Sequence, residues 1–144
     1  MSRFALALIL LAAFGSADAL AASKPAKGDP APGSSVEMPY LIAPMIDADG
    51  KLLAYAYVST KIVATSPDDA VEVRNKTPFI QDAFVRDVNA TGFAKPGDPT
   101  AVDQPALLGR LLGDVRKVVG DDRIATIVIT QIQISPLRQV VPQG

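Results

Sequence analysis

The chain has 144 residues, 14 basic against 15 acidic, and contains no histidine, cysteine or tryptophan. Without histidine or cysteine, the common zinc and copper sites are excluded, as are disulfides and Ser-His or Cys-His nucleophile pairs. A net charge of −1 with no basic stripe offers nothing to displace counterions from a phosphate backbone, which argues against nucleic acid as a partner.

Arg3 is the only charge before Asp18, and Phe4 to Phe14 is wholly apolar, which fits the about 7–15 residues of a signal-peptide core. Gly15 and Ser16 break this run, and two overlapping small-x-small sites follow, Ala17-Asp18-Ala19 and Ala19-Leu20-Ala21. Residues 1–21 therefore read as a secretory signal. The alternative is an uncleaved anchor, which would have to bury Asp18 near one end. In both cases the rest of the chain is expected outside the cytoplasm. Residues 22–35 are rich in Pro, Gly, Ala and Ser, and read as an extended linker or as a tail with no role of its own.

One domain is expected over 36–136, followed by a short tail, 137–144. Val36 to Ile46 is strand-like, but Pro39 and Pro44 each remove a ladder donor, so the strand belongs at an edge or must be bulged. Asp49-Gly50 suits a tight hairpin turn, and Lys51 to Thr65 follows as a long strand. Ser66 can cap a helix that opens with Pro67, Asp68 and Asp69. Val71, Phe79, Ile80, Ala83, Phe84 and Val88 carry the helical pattern to about Asn89. Thr77-Pro78 interrupts it, either as a kink or as the start of a second helix capped by Thr77. Residues 91–104 read as a loop, and Pro105 to Val119 as a Leu-rich helix stopped by Gly120. Arg123 to Ile134 is dense in β-branched residues and is predicted to be the central strand. The order strand, strand, helix, helix, strand predicts an α+β two-layer sandwich, a small, mostly antiparallel sheet with two helices on one face.

The chemistry-bearing residues have ordinary structural explanations. Asp68-Asp69 and Asp121-Asp122 flank predicted helix ends, where capping and turns use carboxylates. Asp47-x-Asp49-Gly50 lacks the further ligands of a calcium loop and fits the hairpin turn. Gly109 and Gly113 lie four apart on one helical face, a spacing that admits close approach of another backbone, more readily from within the domain than from a neighbouring subunit. Tyr40, Tyr55 and Tyr57 could form a ligand platform, though cross-strand packing explains Tyr55 and Tyr57. No base, nucleophile and oxyanion donor can be assembled, so no catalytic, cofactor-binding or metal residue is assigned. A non-enzymatic role is expected.

From about Val36 to Pro136 the chain resembles the periplasmic domain of the FliL family, the flagellar basal-body-associated proteins beside the motor's stator. The resemblance rests on the apolar opening strand Tyr40–Ile46, the stretch Asn75–Ala83 with its Pro78, Ile80 and Asp82, the Leu-rich helix Leu107–Val119, and the closing strand Thr126–Ile134. It implies a stomatin-like fold and a mechanical role without a cofactor. The domain would associate with copies of itself and with stator or basal-body components in the periplasm, supporting motility. Contact with the inner membrane is implied only if residues 1–21 stay attached.

Overall fold

The computed structural model of the chain describes residues 30–138. The signal or anchor read at 1–21, the linker up to residue 29 and the tail from residue 139 lie outside the described residues. The architecture is α+β, with a four-stranded antiparallel sheet, a separate two-stranded ribbon and three helices.

The first strand-like stretch is divided at Pro39. Strand β1 (Ser35–Glu37) and strand β2 (Leu41–Ile46) run end to end along the same edge of the long strand β3 (Leu52–Ala64). Pro44 sits within β2, where an outer edge tolerates a residue that cannot donate. The turn into β3 is organised by Asp47, whose Oδ1 accepts from the amides of Asp49 and Lys51, each at 2.9 Å. Gly50 takes φ 81 there, a left-handed value that a residue without Cβ adopts freely.

From Ala54 to Ile62 strand β3 alternates. Ala54, Ala56, Val58, Thr60 and Ile62 are buried, while Tyr55 and Tyr57 point to the other face. Helix α1 (Pro67–Asn75) is capped as the sequence indicates, with Ser66 Oγ accepting from the Asp69 amide and donating to the Asp69 carboxylate. The interruption at Thr77-Pro78 ends one helix and starts another, α2 (Thr77–Ala90). Thr77 does not cap it, contrary to expectation. It lies inside the first turn, and its hydroxyl donates back to the Val73 carbonyl at 3.1 Å. Ile80, Phe84 and Val88 form the buried stripe of α2, whereas Val71 and Phe79 are exposed. Phe79 is adjacent to Ile80 in sequence, so only one of them can face the core of a 3.6-residue helix.

The expected loop at 91–104 contains structure of its own. A ribbon of β4 (Ala94–Lys95) and β5 (Asp98–Val102) turns at Gly97, with Phe93 buried just before it. Its turn residues mask strands too short to show a period in sequence. Helix α3 (Gln104–Val119) then buries Leu107, Leu111, Val115 and Val119 at strict four-residue spacing. Asp103 caps its start and Gly120, at φ 122, ends it.

After a single 3-10 turn (Asp121–Arg123), β6 (Ile124–Pro136) returns antiparallel along the free side of β3. This corrects the prediction that the last strand is central: β3 holds that place, with β1 and β2 on one side and β6 on the other. Density of β-branched residues reports fitness for a pleated surface, not position in the sheet. The polar set Gln131, Gln133 and Ser135 on alternate positions marks a strand with one wet face. Because one alternating set of strand residues is buried, all three helices cover the same face of the sheet. Phe84, Leu41, Met45, Ile62, Ile80 and Leu107 fill the layer between, each stabilising the fold by about 1.5–3 kcal/mol on burial.

Candidate functional site

The paired carboxylates are structural. Asp69 accepts from the hydroxyls of Thr65 at 2.6 Å and Ser66 at 2.7 Å, and these bonds hold its carboxyl below the ordinary carboxylate range. Asp121 and Asp122 belong to the 3-10 turn, and Asp47 to the hairpin turn. The described residues bring no three acidic side chains into a metal-holding group. No described helix is long and apolar enough to cross a membrane.

Gly109 and Gly113 overturn an expectation. A Cβ at either position would meet nothing within 4 Å, so among the described residues no other element approaches that face of α3. The spacing is that of a packing motif, but here it faces open space.

Two of the concavities among the described residues border α3. One, of 680 Å³, sits between the β4–β5 ribbon and the start of α3, lined by Lys95, Pro96, Val102, Asp103, Gln104 and Pro105. Asp103 is committed there to capping, accepting from the Ala106 amide at 3.2 Å. The other, of 440 Å³, runs between α2 and α3, with Phe79 and Val118 at one end and Asp82, Asp87 and Asp114 along it. Each of these acids already has a basic neighbour: Arg86 for Asp82, Arg110 for Asp87 and Lys117 for Asp114. Burial, and then the charge of Asp87, push the Asp114 carboxyl up. Sequence reasoning missed this α2–α3 cluster, because its charged members on α2 lie 23 or more positions from those on α3, and of them only Asp82 stood in a stretch singled out in the sequence.

The sheet face turned away from the helices carries the tyrosines. Tyr57 stands between Ile42 on β2 and Gln133 on β6, and Tyr55 between Pro44 and Ser135. Tyr40, at 66% exposure, adjoins them, and a 120 Å³ depression lies among Tyr40, Tyr57, Gln131 and Gln133. The structure thus brings the three tyrosines to one region, and gives Tyr55 and Tyr57 the cross-strand neighbours expected of them. Ile42 and Ile46 extend the apolar character. Such a face, apolar with hydrogen-bonding edges, suits contact with another macromolecule better than turnover of a small substrate.

No protein-family model matches this chain, and no curated protein matches it.

Proposed function

We propose that the chain is a non-enzymatic periplasmic accessory protein of the flagellar motor, supporting the stator and motility as FliL-family proteins do. The observation that carries this reading is the order of elements. An apolar edge strand leads through a hairpin into a long strand, two helices follow, then a Leu-rich helix and a long closing strand. The stretch Pro78–Ala83 opens α2, and its Ile80 is wholly buried, a packing reason for an Ile in that motif. Deleting the gene and measuring swimming together with stator retention tests the proposal. Loss or slowing of swimming supports it, and normal motility with unchanged stator retention counts against it.

A second reading, a periplasmic binding or scaffold module of another envelope assembly, is favoured by the open sheet face with Tyr40, Ile42, Tyr55 and Tyr57. Pull-down from membrane fractions separates the two, since recovery of non-flagellar envelope components favours the second. Mass spectrometry of the mature N-terminus decides between tethered and free: a start at Leu20 or Ala22 means a free domain, an intact Met1 or Ser2 a tethered one.

A further inference from the structure

The outer edge of β6 has no partner strand among the described residues. It is 13 residues long and carries no ionisable side chain, whereas exposed edges are ordinarily blunted by charge or kept short. We propose that this edge is a docking surface for a second copy of the same chain, the two β6 strands pairing antiparallel about a two-fold axis at Ile134.

Backbone direction fixes the register. The Leu137 amide donates to the Leu53 carbonyl at 3.1 Å. Amides alternate in direction along a strand, so those of Ser135, Gln133 and Gln131 also face β3, and the backbone groups of Ile132 and Ile134 face outward. Two bulges interrupt β6, one where Thr130 is the extra residue and one nearer its start. Thr130 is bonded into its bulge, its hydroxyl donating to the Ser59 carbonyl at 3.3 Å. The longest regular stretch is Gln131 to Pro136. With the axis at Ile134, the Ile134 N–H donates to the copy's Ile134 C=O and its C=O accepts from the copy's Ile134 N–H, while the Ile132 N–H donates to the copy's Pro136 C=O. Pro136 has no N–H to donate, so pairing stops there.

The side chains select a copy as the occupant. Two-fold pairing sets residues opposite themselves and their near neighbours, so any charge on this stretch would meet its own kind at close range. The stretch has none. On the helix side, Ile134, still 38% exposed, meets Ile134 of the copy, and on the other side Gln133 meets Ser135 as amide and hydroxyl. The paired sheets become continuous with both helix layers on one side. The inference is independent of the flagellar reading.

Sedimentation velocity on the exported chain, purified as cells process it, tests the proposal. A dimer forming within about 1–100 μM is expected, and Ile134→Lys should weaken it at least roughly tenfold by setting two ammonium groups together. Mixing Ile134→Lys with Ile134→Glu should restore a dimer. Should the charged variants fail to fold, single cysteines decide. The chain has no cysteine of its own, and hydrogen-bonded partners lie about 5.5 Å apart at Cα, within disulfide reach. Ile134→Cys should therefore oxidise to a dimer, and Val85→Cys on α2 should not. A wild-type chain that is monomeric throughout overturns the proposal. So does a dimer indifferent to Ile134→Lys, or equal cross-linking at both cysteines. A monomer whose Ile132 and Ile134 amides resist hydrogen exchange would mean that the chain's own tail or another protein covers the edge, which also overturns it.

Discussion

The guanidinium of Arg110, on α3, closes over the end of α2 and holds Asp87: Nε donates to Asp87 Oδ2 at 2.9 Å, and Nη2 lies 2.8 Å from the same oxygen. The other N–H groups go to the carbonyls of Gly92 at 2.8 Å and Thr91 at 3.1 Å, just past the helix, where no further helical turn supplies a donor. One side chain thus pairs a charge, tethers the segment after α2 and joins the two helices. Both partners are largely shielded from solvent, at 26% and 20% side-chain exposure, so the pair exceeds an ordinary surface ion pair. Arg110→Ala is expected to cost about 1–3 kcal/mol in denaturant unfolding. Arg110→Lys should recover only part of that, because an ammonium lacks the planar fork that reaches carboxylate and carbonyls together. A lysine variant as stable as the wild type would show that charge alone suffices.

Asp114 and Asp69 should respond to pH in opposite senses. Burial and the nearby Asp87 raise the Asp114 carboxyl, against the weaker pull of Lys117 and Arg110. Its folded value lies above its unfolded one, so its favourable contribution is present below the ordinary carboxylate range and is lost as pH rises through the raised value. Asp69 is lowered, chiefly by the Thr65 and Ser66 hydroxyls, so its contribution is present above that range and lost on acidification. Asp114→Asn should raise the melting temperature near neutrality, with the gain shrinking in acid. Asp69→Asn should lower it near neutrality, with the loss shrinking in acid. Melting curves taken across the acid range check both signs.

Local chemistry made much of this fold legible. Ser66-Pro67-Asp68-Asp69 names a helix start because cap, ring and dipole all act within one turn, and Gly120 names a stop for the same reason. Pro39 and Pro44 foretold an edge, since a missing donor is a local fact with a fixed consequence for pairing. The place of the closing strand was not legible. Whether β3 or β6 lies centrally depends on which side of β3 remains free once β1 and β2 have paired, and no window of β6 carries that information. The Arg110–Asp87 link and the Asp114 cluster were hidden likewise, because two helices must pack before those side chains meet. The three tyrosines were visible, but their common region with Gln131 and Gln133 required the β3–β6 register.

Gly109 and Gly113 offer the simplest route to a more stable protein. Both lie inside α3, where glycine costs about 0.5–1 kcal/mol relative to alanine through the freedom of the unfolded chain. A Cβ meets nothing within 4 Å at either position, so no clash offsets the gain. Gly109→Ala and Gly113→Ala should each stabilise by about 0.5–1 kcal/mol, and the double variant should be the most stable of the three. Urea unfolding of the three variants checks this. A loss at either site would mean that a close neighbour approaches this face in solution.

Thr60 is the polar side chain at the heart of the sheet. It is 1% exposed on the helix-facing side of β3, between Val58 and Ile62, and its Oγ1 has no hydrogen-bond partner. Its carbonyl accepts from the Met38 amide at 2.9 Å. Among its side-chain atoms the hydroxyl is unmet, and leaving one buried costs about 1–3 kcal/mol. Valine has nearly the same shape, retains the β-branched preference for a strand and carries no polar atom. Thr60→Val should stabilise by about 1 kcal/mol, which moves Tm upward by about 4–8 °C in a domain of this size. Thr60→Ser keeps the hydroxyl and deletes the methyl, so it should lower Tm. Calorimetry on the pair separates the two groups: a valine variant melting below the wild type would mean that the hydroxyl finds a partner in solution.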